Sequence, residues 1–201
     1  MSDLSLVNYF ADPEQWFFLL KVPGMWRVLF PTQPEELEED IFDPKDIERR
    51  MQWVYGMPET YEYRHTTLYR VHQRVAKHYC QGRVFIAGDA AHINNPLGGM
   101  GMNGGIHDAL NLAEKISAVW HGEKPETYLK LYEAQRRPIA LDYVNTHTIR
   151  NKQNLEAKTP EARKAFRDFL AEVTSDKDKT REYLRRTSMI ASLREAENIT
   201  A

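Results

Sequence analysis

The stretch from Arg83 to Lys115 constrains this chain more than any other. It opens with Val84-Phe85-Ile86-Ala87, apolar at four successive positions, and stops at Gly88-Asp89. A short run without polar alternation reads as a strand buried on both faces, as in a parallel sheet covered by helices. A loop containing Pro96, Gly98, Gly99, Gly101, Gly104 and Gly105 follows. Then Ile106, Ala109, Leu110, Ala113, Ile116 and Trp120 recur at helical spacing, with His121-Gly122 as a stop signal. Such an order places the Asp89 carboxylate at the carboxyl edge of a strand, where open α/β sheets bind ligands. Its two acceptor oxygens suit the hydroxyls of a ribose or ribityl chain. The glycines let backbone come close to a ligand, and a helix N-terminus beyond them favours an anionic group.

Other readings of the same residues are weaker. Gly99-Met100-Gly101-Met102-Asn103-Gly104 matches G-x-G-x-x-G to the letter. A dinucleotide fingerprint, however, belongs in the tight turn directly after a first strand, with an acid-ended strand following. Neither condition holds, and the fingerprint reading is set aside. Asp89 alone would read as a cap or turn residue. Gly88-Asp89 with His92 suggests a metal-dependent phosphoesterase, but no further ligands stand in a similar context, so no metal site is expected. His92 and His107 read as structural more readily than as ligand contacts. Met100 and Met102 read as packing or pocket-lining residues.

Around this segment the patterns are more ordinary. Trp16–Val22 and Met25–Phe30 are aromatic and aliphatic runs joined by Pro23-Gly24, the pair of a type II turn, so a hairpin is expected. It is apolar on both faces and needs a covering layer. The acid-rich residues 35–50 predict a polar loop and short helix with a solvated face. Tyr61, Tyr63, His65, Thr67, Tyr69 and Val71 alternate with mostly polar neighbours, which predicts a half-buried strand. A second helix should begin near Glu126, with Tyr128, Leu131 and Tyr132 on one face, and be kinked or broken at Pro138. Thr159-Pro160-Glu161 reads as a helix start, with Phe166, Phe169 and Leu170 inward. A last helix is expected from about Lys179 to Ala196, with Tyr183, Leu184, Ile190 and Leu193 inward.

Composition excludes several classes. With 27 basic and 29 acidic residues the net charge is −2, which gives no support to a nucleic-acid partner. The single cysteine, Cys80, rules out a disulfide scaffold within the chain. No apolar run is long enough to span a bilayer, and the N-terminus lacks a signal-peptide pattern, so a cytoplasmic location is the default.

The motif also resembles a known family. Gly82 to His92 is similar to the Gly-Asp motif of single-component FAD-dependent monooxygenases of the para-hydroxybenzoate hydroxylase type. Pro96 to Gly105 resembles that family's flavin-facing loop, and Asp108 to Leu112 the start of its next helix. Where many relatives have two prolines, this chain has Asn95-Pro96. The resemblance implies that Gly88, Asp89, Pro96, Gly98, Gly99, Gly101, Met102 and Asn103 bind FAD. Asp89 would hold the ribityl chain, Pro96 would lie beside the isoalloxazine, and the Met102 and Asn103 N–H groups would meet the flavin's N1–C2=O edge. It implies NAD(P)H as reductant, O2 and a small aromatic substrate, and names no catalytic residue. The family's ADP-binding βαβ unit and its middle Asp-Gly motif are absent from these 201 residues. The chain is therefore expected to be the C-terminal portion of such an enzyme, in a mixed α+β and α/β class. Residues 1–75 would be part of a β-sheet substrate domain, 76–150 the C-terminal part of a Rossmann-like FAD-binding domain, and 151–201 a helical extension. An N-terminal half on a longer or separate chain and a homo-oligomer are the expected protein partners. The competing expectations are a truncated or split flavoprotein fragment without catalysis of its own, and a related flavin oxidoreductase that does not hydroxylate.

Overall fold

Pro23 and Gly24 turn β2 (Phe17–Val22) back into β3 (Met25–Leu29), with Val22 opposite Met25. Gly24 stands at φ +75°, the left-handed value required at the second central position of a type II turn. The structure, a computed structural model, describes residues 4–200. These divide into two compact units, one ending at Arg70 and one beginning at Val71.

In the first unit the hairpin gains a third strand that the sequence patterning did not single out. β1 (Val7–Phe10) pairs antiparallel with β2, Phe10 opposite Phe17, and so makes β2 central. Phe17, Phe18 and Leu19 are buried as a result. A helix supplies cover for the aromatic runs. α1 (Glu38–Ile41) and α2 (Pro44–Val54) follow, and Trp53 of α2 meets Phe17 edge-on at 5.3 Å. Asp43 caps α2 by accepting the Lys45 N–H at 2.9 Å, with Pro44 in the first turn. Asp46 pairs with Arg49 and Arg50, and Arg50 also reaches Glu36 at 3.0 Å. The acid-rich run thus neutralises itself at the surface.

The strand expected from Tyr61 to Val71 does not form. Residues 61–73 hold no regular structure, and Tyr63, Tyr69 and Val71 are exposed. A strand exists through its ladder, and no described strand runs beside this stretch to pair its backbone. Alternation without a partner is not enough.

In the second unit, β4 (Arg74–Val75) pairs with β7 (His92–Ile93), and β5 (Cys80–Gln81) pairs with β6 (Val84–Phe85). Both pairs are antiparallel, which corrects the expected parallel strand over Val84–Ala87. β6 is one arm of a two-residue hairpin, and Val84 is 67 % exposed. A parallel sheet needs neighbours on either side, and no other described strand lies beside β6. Phe85, Ile86 and Ala87 instead pack on a core of Tyr79, Ala91, Tyr132 and Ala140. The Tyr132 hydroxyl donates to the Ile86 carbonyl at 2.7 Å.

Helices build the rest of this unit: α3 (Met100–Trp120), α4 (Lys130–Ile139), α5 (Thr146–Leu155), α6 (Pro160–Thr174), α7 (Lys177–Thr187) and α8 (Ile190–Glu197). Pro138 lies inside α4 rather than ending it, and the chain widens into a π-helical stretch, Ala140–Asn145, just beyond. α3 runs where the spacing predicts, but its inward face is the other one. Ile106, Leu110, Ile116 and Trp120 are exposed, Trp120 at 84 %, while Gly104, Asp108 and Lys115 are buried. The carboxylate of Asp108 has its cationic and imidazole partners on that side, and burial follows the partners. The expected last helix is in fact two. α7 and α8 meet at Met189, which stands at φ +63° and is buried against Met100. A left-handed non-glycine residue costs about 1–3 kcal/mol, which the burial of its side chain offsets. Leu184 and Ile190, read as inward, are exposed, and Met189, Ser192 and Ala196 occupy the interior.

Candidate functional site

The Gly-Asp motif forms a turn of 3₁₀-helix, Gly88–Ala90, between β6 and β7, with Gly88 at φ +58°. Asp89 is exposed on this turn, and its carboxylate has no partner among the described residues. Behind the turn, Gly88 meets Gly105 of α3 backbone to backbone. A Cβ on Gly105 would lie 3.2 Å from the Gly88 Cα, and one on Gly104 would lie 3.0 Å from the His92 ring. Only glycine at these positions lets the helix come so close. The contact sets Asp89 beside the N-terminal turns of α3.

α3 starts from Gly99, at φ +66°, and no side chain caps its first N–H groups. The G-x-G-x-x-G match therefore occupies a helix cap and first turn, not the turn after a strand. Pro96, whose carbonyl accepts the Gly99 N–H at 3.1 Å, is exposed, as are Gly98, Met102 and Asn103. Gly101 packs beside Asn94, and the Asn103 amide donates to the Gly99 carbonyl at 3.2 Å. Met100 is buried and packs. An unneutralised carboxylate next to uncapped helical N–H groups can hold a ligand that carries hydroxyls and an electron-rich edge.

Residues far away in sequence fasten this loop. Asn95 is buried, and its N–H and side-chain amide both donate to the Gln73 side-chain oxygen at 3.1 Å. The same amide donates to the Thr148 carbonyl at 3.0 Å, and its oxygen accepts the Leu97 N–H at 3.1 Å. Gln73 in turn donates to the Thr148 hydroxyl at 2.9 Å, and Asn151 donates to the Leu97 carbonyl. Asn95 thus acts as a polar bolt. Asn95→Ala should orphan several buried groups at about 1–3 kcal/mol each. Hydrogen exchange of residues 94–99 should accelerate accordingly, and unchanged protection would show that the bolt carries no load.

Sequence reasoning also missed His92, Asp108 and Arg136 as a group. His92 and Arg136 both reach the fully buried Asp108 carboxylate at 2.8 Å. Burial works to raise the Asp108 carboxyl, but hydrogen bonds from His92 and Arg136 and the charge of Arg136 outweigh it and hold it below the usual carboxylate range. No local pattern marks this trio, because its members come from β7, α3 and α4. His107 is held below its ordinary value by burial and by Arg136. A separate groove of about 700 Å³, lined by residues including Arg83, Phe85, Lys130 and Glu133, shares no residue with the loop.

The chain is similar to several known proteins. The FAD binding domain family matches residues 20–147. The para-nitrophenol 4-monooxygenase of Pseudomonas sp. (strain WBC-3) is 32 % identical over 184 residues, which cover 90 % of this chain and 45 % of that protein. The pentachlorophenol 4-monooxygenase of Sphingobium chlorophenolicum is 35 % identical over 146 residues, or 71 % of this chain and 27 % of that one. The crystal structure of p-nitrophenol 4-monooxygenase from Pseudomonas putida DLL-E4 superposes with a TM-score of 0.84 at 27 % identity, covering 99 % of this chain and 50 % of that chain. The chain thus spans half or less of the length of these relatives.

Proposed function

The chain belongs to the FAD binding domain family of flavin-dependent aromatic monooxygenases, and from that premise we propose that it forms the Gly-Asp half of an FAD-dependent enzyme that hydroxylates an aromatic ring with NAD(P)H and O2. The observation that carries this reading is the free Asp89 carboxylate beside the uncapped N-terminus of α3. The residues fit the group. Asp89 would hold the ribityl hydroxyls, and Pro96, Gly98, Gly99 and Gly101 would let backbone approach the flavin. The N–H groups of Met102 and Asn103 would face its N1–C2=O edge, where a helix N-terminus stabilises negative charge. FAD would supply the redox chemistry when bound, while these residues would bind and orient it. We assign residues 1–75 to a substrate-domain sheet, 76–150 to the FAD domain and 151–201 to a helical extension. The break between Arg70 and Val71 supports a boundary near the first of these. Phenols are the first substrate class to test, since the relatives act on p-nitrophenol and pentachlorophenol by name. No helix among the described residues is long and apolar enough to cross a membrane. The lone Cys80 is in keeping with a cytoplasmic setting.

A second reading, a chain that works only with a separate N-terminal half, is favoured by the exposed stripe Ile106, Leu110, Ile116 and Trp120 on α3. An apolar stripe of this kind marks a surface that another segment covers. Both readings predict that the isolated 201-residue chain purifies with little or no FAD, because the unit that binds the ADP half is missing. Its absorbance spectrum tests this, and a stoichiometric yellow protein would overturn it. Joined to an N-terminal half, the protein should bind FAD and take up O2 when given NAD(P)H and a phenol. Failure of every phenol tested in a flavin-loaded protein would reject the hydroxylase reading.

A further inference from the structure

Asp108 sits on α3 without solvent exposure, and three groups from three other segments converge on its carboxylate. Gly88 donates its backbone N–H to Oδ2 at 3.2 Å, and His92 donates Nε2–H to the same oxygen at 2.8 Å. Arg136 of α4 donates Nε–H to Oδ1 at 2.8 Å. An ionised carboxylate only accepts, so the His92 hydrogen must be on Nε2. Both neighbouring side chains are almost fully buried as well, His92 at 4 % and Arg136 at 2 % exposure.

Burying such a group is expensive, and an apolar cluster of equal volume would serve packing at least as well. A carboxylate offers what no apolar side chain can, namely several acceptor sites with fixed directions. One of them is occupied by the N–H of Gly88, the residue immediately before Asp89. Another holds His92, which closes the same turn from its far end, while the carboxylate itself is carried by the helix whose N-terminus borders the turn. Gly104 and Gly105 bring the helix to the contact distance this arrangement needs.

We propose that Asp108 is the positioning residue of the Gly-Asp loop: by gripping Gly88 and His92 from α3, with Arg136 balancing its charge, it holds Asp89 and the start of α3 in one fixed relation. This deepens the reading of the loop as a cofactor site and rests on that reading for the identity of the ligand. It differs from a purely structural role in one respect. Loss of the grip should loosen the loop without melting the helices.

Asp108→Asn leaves Arg136 buried without its counter-charge, so that variant alone tests folding as much as the grip. The double variant Asp108→Leu/Arg136→Met removes both charges together with both carboxylate acceptors, and keeps a branched side chain at 108 and a long one at 136. In the 201-residue chain, hydrogen exchange of residues 86–93 in the double variant should be on the order of tenfold to a hundredfold faster, the loss expected for one charge-assisted hydrogen bond. Exchange in residues 112–120 and 128–135 should be unchanged. Unchanged exchange in the loop, or equal acceleration across all three segments, would overturn the positioning role. The same double variant in the flavin-binding protein, with its N-terminal half, separates this from the ligand assignment. Weaker FAD binding together with a loosened loop supports both. A loosened loop with unaltered FAD affinity leaves the grip intact but removes the loop from the cofactor site.

Discussion

Asp108→Ala is expected to destabilise the unit beginning at Val71 severely. The carboxylate is fully buried and takes hydrogen bonds from His92, Arg136 and the Gly88 backbone. Removing one member of a buried ion pair leaves the other charge without compensation, at about 3–5 kcal/mol. The effect has a definite pH dependence. The Asp108 carboxyl is held below its ordinary value of 3.8 in the folded state, since the His92 and Arg136 bonds outweigh burial. The ionised form is therefore favoured by folding, and the unfolded state binds the proton more readily. Its contribution is complete above about pH 4, where the unfolded carboxyl is ionised, and is lost as pH falls from there through the folded pKa. Urea unfolding followed at 222 nm reports the helices of this unit. The gap between the parent chain and Asp108→Ala should be widest near neutrality and should close in acid. Coincident midpoints at pH 7, or a gap independent of pH, would contradict the assignment.

Asp89→Ala should do the opposite: little to stability and much to FAD. Asp89 is exposed and makes no hydrogen bond or ion pair with another described side chain, so its loss should change stability by no more than about 0.5 kcal/mol. In a protein that binds FAD, each charge-assisted hydrogen bond from a ribityl hydroxyl to this carboxylate is worth about 1.5–3 kcal/mol. At about 1.4 kcal/mol per factor of ten, FAD affinity should fall roughly tenfold to a hundredfold for each bond lost. Titration of the apoprotein with FAD, followed by flavin fluorescence, measures this. Unchanged affinity in a folded variant would remove Asp89 from the site. On the proposed reading the two aspartates divide the labour, Asp89 facing the ligand and Asp108 holding the turn in place.

Much of the candidate site was legible along the chain. The Gly-Asp pair, the proline, the glycine loop and the helix after it lie within some twenty residues, and local chemistry dictates each of them. The Pro23-Gly24 turn and the Thr159-Pro160 helix start are legible for the same reason, since turn and cap preferences act over three or four residues. What could not be read comes from elsewhere. Gln73, Thr148 and Asn151 reach the loop from far along the chain. No spacing rule links Arg136 to Asp108.

The failures have one physical cause. Val84–Ala87 and Tyr61–Val71 carry the side chains of strands, but a strand is completed by neighbours that pair its backbone. Among the described residues those neighbours are absent or antiparallel. The hydrophobic stripe of α3 was equally legible as a pattern, and its direction was not. A helix buries the face that finds partners, and Asp108 finds Arg136 and His92 while Trp120 stays exposed among the described residues.

The sequence by itself determined which chemistry the loop can offer, because a carboxylate after a glycine and a helix opened by glycines keep those properties wherever they are placed. Only the tertiary structure decided how they are held: Gly88 against Gly105, Asn95 bolted to Gln73 and Thr148, and the Asp108 grip beneath the turn. Each of those contacts joins residues distant in the chain, and only folding brings their atoms within bonding distance.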